Sequence, residues 1–286
     1  MRGGDKVNVV PGLDFGADAI YNLLQRGCEP AVREERGRKV TLHVKALVFD
    51  VFGTVVDWRS TVIAEGEALG RAKGLQVDWP SFADEWRREG YHGTIQRIRS
   101  EELPWMSVDE MLRAKLHELL RRYNVVGLTN DEIAHFNRVW HRLAPWPDSV
   151  AGLSRLKRRY IISTLSNGGF ALLTNMARHT GLPWDCIISA ELTRKYKPDP
   201  DVYLSAPSLL DLQPGDVMLV AAHGSDLLGA RAAGLRTGFV GRPLEWGPGG
   251  QADLGPDPNF DVTATDFLEL ADKLGTYRSS ENVLER

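Results

Sequence analysis

Lys45-Ala46-Leu47-Val48-Phe49-Asp50-Val51-Phe52-Gly53-Thr54 is an apolar run that ends on a carboxylate and passes straight into a turn. The run has the length of a buried strand, and open α/β sheets gather their chemistry at the carboxyl ends of such strands. Asp50 is therefore the first candidate functional residue. Gly53 permits a tight turn there, and Thr54 is placed to hold an oxygen of Asp50 by hydrogen bond. The second position after Asp50 is Phe52, where a phosphate-handling site of this pattern needs a second acid to protonate the leaving oxygen. An aromatic residue in that place points to a nucleophilic aspartate whose leaving group needs no proton.

Outward from this stretch the chain changes character twice. Residues 1–43 read as a loosely attached N-terminal extension, partly disordered, with a short amphipathic helix over Asp18 to Arg26 and a solvated charge run over Arg33 to Lys39. From Ser60 to about Trp146 the pattern is helical throughout, in pieces Thr61 to Lys73, Trp79 to Ser100, Ser107 to Tyr123 and Thr129 to Trp140. Start signals precede three of them: Asp78-Trp79-Pro80-Ser81, Ser107-Val108-Asp109-Glu110 and Thr129-Asn130-Asp131-Glu132. Pro145 and Pro147 close the segment.

Four short apolar runs follow, Tyr160 to Leu165, Cys186 to Ala190, Val217 to Ala222 and Thr237 to Val240, each leading into a turn and a helical stretch. Such alternation means parallel strands joined by crossover helices. Pro243 to Pro258 reads as a Gly/Pro-rich loop and Asp266 to Leu274 as a last helix. The expected architecture is α/β: a Rossmann-like, doubly wound parallel sheet core built from 44–59 and 147–286, with an all-helical cap domain of residues 60–146 inserted after the first strand.

Composition narrows the function. The 286 residues are 43% hydrophobic, enough for a real core, and the net charge of −3 mixes both signs, which argues against a nucleic-acid surface. No apolar run approaches the ~18 residues that span a bilayer, and the N-terminus lacks a secretion pattern, so a cytoplasmic setting is expected. Cys28 and Cys186 make neither a disulfide framework nor a metal-ligand spacing.

Polar residues just beyond the apolar runs converge at strand tips. They are Asp50 and Thr54, then Ser166-Asn167-Gly168, then Lys197, then His223 and Asp226. These four segments resemble, in order, the motifs of the haloacid dehalogenase superfamily. Phe49-Asp50-Val51-Phe52-Gly53-Thr54, Leu165-Ser166-Asn167-Gly168 and Tyr196-Lys197-Pro198-Asp199 with Val202-Tyr203 resemble the L-2-haloacid dehalogenase branch more closely. The resemblance spans about residues 45–275.

It implies attack by Asp50 on the halogen-bearing carbon, an aspartyl ester, and release of a hydroxy acid when water attacks the Asp50 carboxyl carbon. By the same resemblance Lys197 keeps Asp50 ionised, Asp226 positions the water, and Ser166 and Asn167 bind the substrate carboxylate. Arg87 on the second insert helix receives the halide, Tyr203 sits six residues after the lysine, and Phe52 walls the pocket. The substrate is then a small anionic 2-haloacid, haloacetate or L-2-halopropionate, and the protein pairs as a homodimer. One acid and one imidazole in Ala222-His223-Gly224-Ser225-Asp226 are few ligands for a hard cation, so neither metal nor other cofactor is expected.

Ala221, His223 and Ser225 depart from the better-known members of the branch, which carry serine, asparagine and an aromatic there. For His223 three roles stay open: donating to a leaving halide, assisting proton transfer to water, or packing. Trp58 is near enough to Asp50 in sequence to line the pocket, while the other tryptophans read as packing residues. Rival readings are a magnesium-dependent phosphatase of the same superfamily, a hydrolase that opens a strained ring such as azetidine-2-carboxylate, and a binding module that keeps only the fold.

Overall fold

The computed structural model describes residues 43–250, 257 and 259–276. The helix expected at Asp18 to Arg26, the charge run after it and Cys28 lie outside the described residues.

Strand β1 (Ala46–Phe49) is wholly buried and leads into the turn that carries Asp50. A two-residue strand, β2 (Val56–Asp57), pairs antiparallel with β3 (Ala144–Pro145), Val56 opposite Pro145 and Asp57 opposite Ala144. The helical insert leaves and returns through this ribbon. Beyond it come β4 (Ile161–Thr164), β5 (Val217–Ala221), β6 (Arg236–Val240) and β7 (Val262–Ala264). They join β1 in one parallel sheet of order β4-β1-β5-β6-β7. The chain steps from β1 to one side and then to the other, so the tips of β4, β1 and β5 flank a switch point, where such sheets bind ligands. Every residue of β1 and β5 is buried, as expected of central strands covered on both faces.

The apolar run Cys186 to Ala190 is not a strand. It meets the sheet at two isolated bridges, Ser163 with Cys186 and Ser166 with Ser189. Hydroxyls of β4 take the backbone partners that a ladder would use. Thr164 Oγ1 donates to Ile188 O at 2.9 Å and accepts from Ile188 N at 3.0 Å, and Ser163 Oγ donates to Cys186 O at 3.0 Å. The fifth strand is β7, a short run after the Gly/Pro-rich loop that the sequence reading passed over.

The insert is all-helical apart from its stem. Helix Trp58–Lys73 is capped by Asp57, which accepts from Ser60 N at 3.0 Å. Helices Val108–Arg122 and Asn130–Asn137 start with complete capping boxes, Ser107 with Glu110 and Thr129 with Glu132. The expected helix over Trp79 to Ser100 is interrupted. It is α-helical over Trp79–Glu85 and Thr94–Arg99, but Trp86–Gly93 between them is a π-helix. The wider turn keeps Trp86, Arg87, Gly90 and Tyr91 all buried, and Trp86 Nε1 donates to Leu112 O at 2.8 Å to lock it down. Such segments cluster at functional sites because they re-aim side chains that a regular helix would disperse.

Candidate active site

Asp50 follows β1, and its two carboxylate oxygens have different surroundings. Oδ2 accepts from Thr54 Oγ1 at 2.8 Å and faces His223 Nδ1 at 3.1 Å. The Thr54 oxygen itself accepts from Ala222 N at 2.9 Å, so its proton is directed at Asp50. Oδ1 accepts no hydrogen bond among the described residues and has the Lys197 ammonium at 3.6 Å. Burial opposes ionisation of Asp50, but Lys197, His223 and Thr54 outweigh it and hold the carboxyl far below its usual range.

Asp226, in the first turn of the helix Gly224–Ala232 after β5, lies across the crevice. Its Oδ2 takes a 2.6 Å hydrogen bond from Lys197 and its Oδ1 one of 2.8 Å from Tyr203. Burial raises the Asp226 pKa, the Lys197 cation opposes the rise, and the Asp50 charge adds to it. Lys197 is itself buried, and its backbone N–H donates to Asn167 Oδ1 at 2.8 Å. A single ammonium thus stands against two carboxylates that would otherwise repel each other.

Both nitrogens of His223 face carboxylates: Nδ1 meets Asp50 Oδ2, and Nε2 meets Glu245 Oε2 at 2.9 Å. Burial works against a charged ring, yet the hydrogen bonds to Asp50 and Glu245 prevail and push the imidazole up to about 10. Glu245 is buried and accepts from Trp58 Nε1 at 3.2 Å. It lies against Gly53, whose φ of +84° suits glycine and where any Cβ would overlap the Glu245 carboxylate.

The cap supplies the opposite wall. Arg87 is buried, with its guanidinium carbon 4.0 Å from the Tyr91 ring centre, 5.1 Å from Phe52 and 5.5 Å from Trp58. Its Nε and Nη1 are buried and have no hydrogen-bond partner among the described residues. A cation caged by rings, with donors unused, is chemically suited to receive an anion. Burial lifts the Tyr91 phenol above its ordinary range, Arg87 opposes this, and Asp50 and Asp226 add to it. His92 extends the same wall. His92 is an exposed residue whose ring meets Tyr91 edge-on at 5.1 Å, and desolvation together with the Arg87 and His223 charges lowers its pKa.

Asp50, Thr54, Lys197, Tyr203, His223 and Asp226 are thus joined in one network, with Phe52 linked to Arg87 beside it. Ser166 and Asn167 serve the fold first. The Ser166 hydroxyl accepts from Gly168 N at 3.1 Å, and the Asn167 carbonyl is taken by Lys197 N. The serine O–H and the asparagine NH₂ are the groups left to a ligand. Tyr91, His92 and Glu245 escaped the sequence reading. The first two lie on what looked like a uniform helix, and Glu245 lies in a segment that read as featureless loop. Trp58 does reach the site, through Glu245 and Arg87.

Residues 44–234 match the family model for haloacid dehalogenase-like hydrolase. An (S)-2-haloacid dehalogenase of Pseudomonas sp. (strain CBS-3) is 30% identical over 205 residues, which cover 70% of this chain and 85% of that one. A plasmid phosphoglycolate phosphatase of Cupriavidus necator is 34% identical over 226 residues, with 78% of this chain and 91% of that one covered. Among solved structures, an L-2-haloacid dehalogenase superposes with a TM-score of 0.78 at 44% identity, covering 82% of this chain and 99% of its own. A defluorinating L-2-haloacid dehalogenase gives a TM-score of 0.79 at 42% identity, covering 84% and 99%. The protein is a member of the haloacid dehalogenase-like hydrolase family.

Proposed function

We propose that this protein hydrolyses the carbon–halogen bond of short 2-haloalkanoate anions, giving 2-hydroxy acids through an ester on Asp50. The observation that carries the reading is the pairing of an ionised, hydrogen-bonded Asp50 with an anion receptor at Arg87 and no acid at Phe52. A carboxylate attacks saturated carbon well only when stripped of bulk water and aimed, and aim alone supplies ~7–11 kcal/mol of a barrier. The departing halide carries its electron pair and needs charge stabilisation rather than a proton. Arg87, over Phe52, Tyr91 and Trp58, is the group to provide it. Ser166 and Asn167 take the substrate carboxylate, and Asp226, held by Tyr203 and Lys197, readies the water. The ammonium of Lys197 lies 3.6 Å from Asp50 and 2.6 Å from Asp226 and offsets their charges, which supports chemistry without a divalent ion. The family likeness extends the proposal to a cytoplasmic homodimer, which sedimentation velocity checks.

Halide release from fluoroacetate, chloroacetate and both enantiomers of 2-chloropropionate, with and without chelator, tests the reading, with Asp50→Asn as control. Chelator-insensitive halide release that Asp50→Asn abolishes is the expected result. Phosphate release from phosphoglycolate, dependent on magnesium and without halide activity, would replace this reading with the phosphatase one.

A further inference from the structure

The two oxygens of Asp50 are held unequally, and Glu245 stands behind one of the two groups that meet Oδ2. A carboxylate oxygen only accepts hydrogen bonds, so a ring nitrogen facing one must carry a proton. His223 faces carboxylates with both nitrogens, at 3.1 Å to Asp50 and 2.9 Å to Glu245. His223 is therefore an imidazolium that donates from Nδ1 to Asp50 Oδ2, beside the Thr54 hydroxyl. Its pKa, raised to about 10, agrees with that state.

We infer that Glu245 is a positioning residue that keeps His223 cationic, and that His223 and Thr54 reserve Oδ2 of Asp50 as the oxygen that takes the negative charge during ester hydrolysis. Oδ1, with no hydrogen bond among the described residues and Lys197 at 3.6 Å, is then the attacking oxygen. This rests on the aspartyl-ester reading above and adds a division of labour to it. In the first step the bond from Oδ1 to carbon forms as the carbon–halogen bond breaks, and halide leaves with the electron pair. Water then attacks Cγ and the charge moves to Oδ2, which already has two donors. The Cγ–Oδ1 bond breaks, and the product departs with Oδ1. One water proton passes by Asp226 to that product oxygen, and the other goes to solvent as Asp50 reionises. The water oxygen takes the Oδ1 place, while Oδ2 never leaves its donors.

Isotope partition tests this on the intact enzyme. One turnover of chloroacetate in heavy-oxygen water labels Asp50, and a second single turnover follows in ordinary water. If Oδ2 is reserved, nearly all the label leaves in the glycolate. If the two oxygens are equivalent, half leaves and half stays, and the inference is overturned. Absence of label from Asp50 after the first turnover would sink the aspartyl-ester reading itself. Glu245→Gln and His223→Asn are expected to lose the bias and to slow ester breakdown by ~10²–10³, the usual cost of a lost oxyanion donor, so that ester accumulates in quenched mass spectra. Variants that keep the bias, or that slow halide release without accumulating ester, would overturn the roles given to Glu245 and His223.

Discussion

Lys197 donates to Asp226 at 2.6 Å, closer than its 3.6 Å approach to Asp50, so the lysine is anchored on Asp226 and only leans on Asp50. That asymmetry leaves the Asp50 oxygen facing it free to react while the site stays near electrical balance. A buried pair of carboxylates without such a cation takes up a proton instead of staying charged.

Lys197→Met removes this balance. Leaving buried charges unpaired costs about 3–5 kcal/mol, and one of the two carboxylates then binds a proton. Halide release at neutral pH should fall by at least 100-fold, and the urea-unfolding midpoint should drop. A variant with ordinary stability would show that Lys197 is not the compensating charge.

Arg87→Met should separate stability from activity. Apolar replacement of a buried charge that is poorly hydrogen-bonded, as Arg87 is at Nε and Nη1, is neutral or stabilising by ~1–4 kcal/mol. Halide release, by contrast, should fall ~10²–10³-fold through loss of transition-state charge stabilisation. Thermal unfolding and initial-rate measurements on the same preparation check both halves.

Gly53→Ala puts a Cβ into the Glu245 carboxylate and forces alanine to adopt positive φ, the second term alone costing ~1–2 kcal/mol. Combined with Glu245→Ala, the overlap disappears and only the backbone strain remains. The two substitutions should therefore be non-additive, with a coupling in the ~0.5–3 kcal/mol range seen for residues in contact. Simple additivity in denaturant unfolding would contradict the packing described.

The His223 imidazolium gives stability a pH signature. Its folded-state pKa is raised, to about 10, above an ordinary value near 6.5. The stabilisation is therefore complete below about pH 6.5 and is lost as pH rises toward 10. The stability advantage of wild type over His223→Asn should be largest near pH 6 and shrink steadily up to about pH 10. Unfolding midpoints at several pH values measure it, and a constant advantage would mean that the ring is neutral throughout.

Much of this was legible along the chain because strand tips announce themselves. A buried apolar run followed by Asp50, Ser166 or His223 places those residues at one sheet edge before any coordinate is known. The misses share a cause: contacts made by side chains rather than by backbone pattern. Cys186 to Ala190 has a strand's composition, but Ser163 and Thr164 hydroxyls satisfy its backbone in place of a ladder. Nothing in the spacing of Trp86 to Gly93 marks the π-helical widening that brings Arg87 and Tyr91 onto one wall. Glu245 looked like one polar residue in a loop, and its role exists only through His223, Trp58 and Gly53 from other parts of the chain.

The ribbon of β2 and β3 makes the insert a cassette. Val56 and Pro145 are cross-strand neighbours, and such partners have Cα atoms about 4.5–5.5 Å apart. A two-residue reverse turn joins chain ends at that spacing. Asp50 and Lys197 therefore belong to a scaffold that closes on itself, and Arg87 arrives on an insert that enters and leaves at one point. The surroundings of Arg87 can therefore be exchanged between relatives while the turn that carries Asp50 is left as it is.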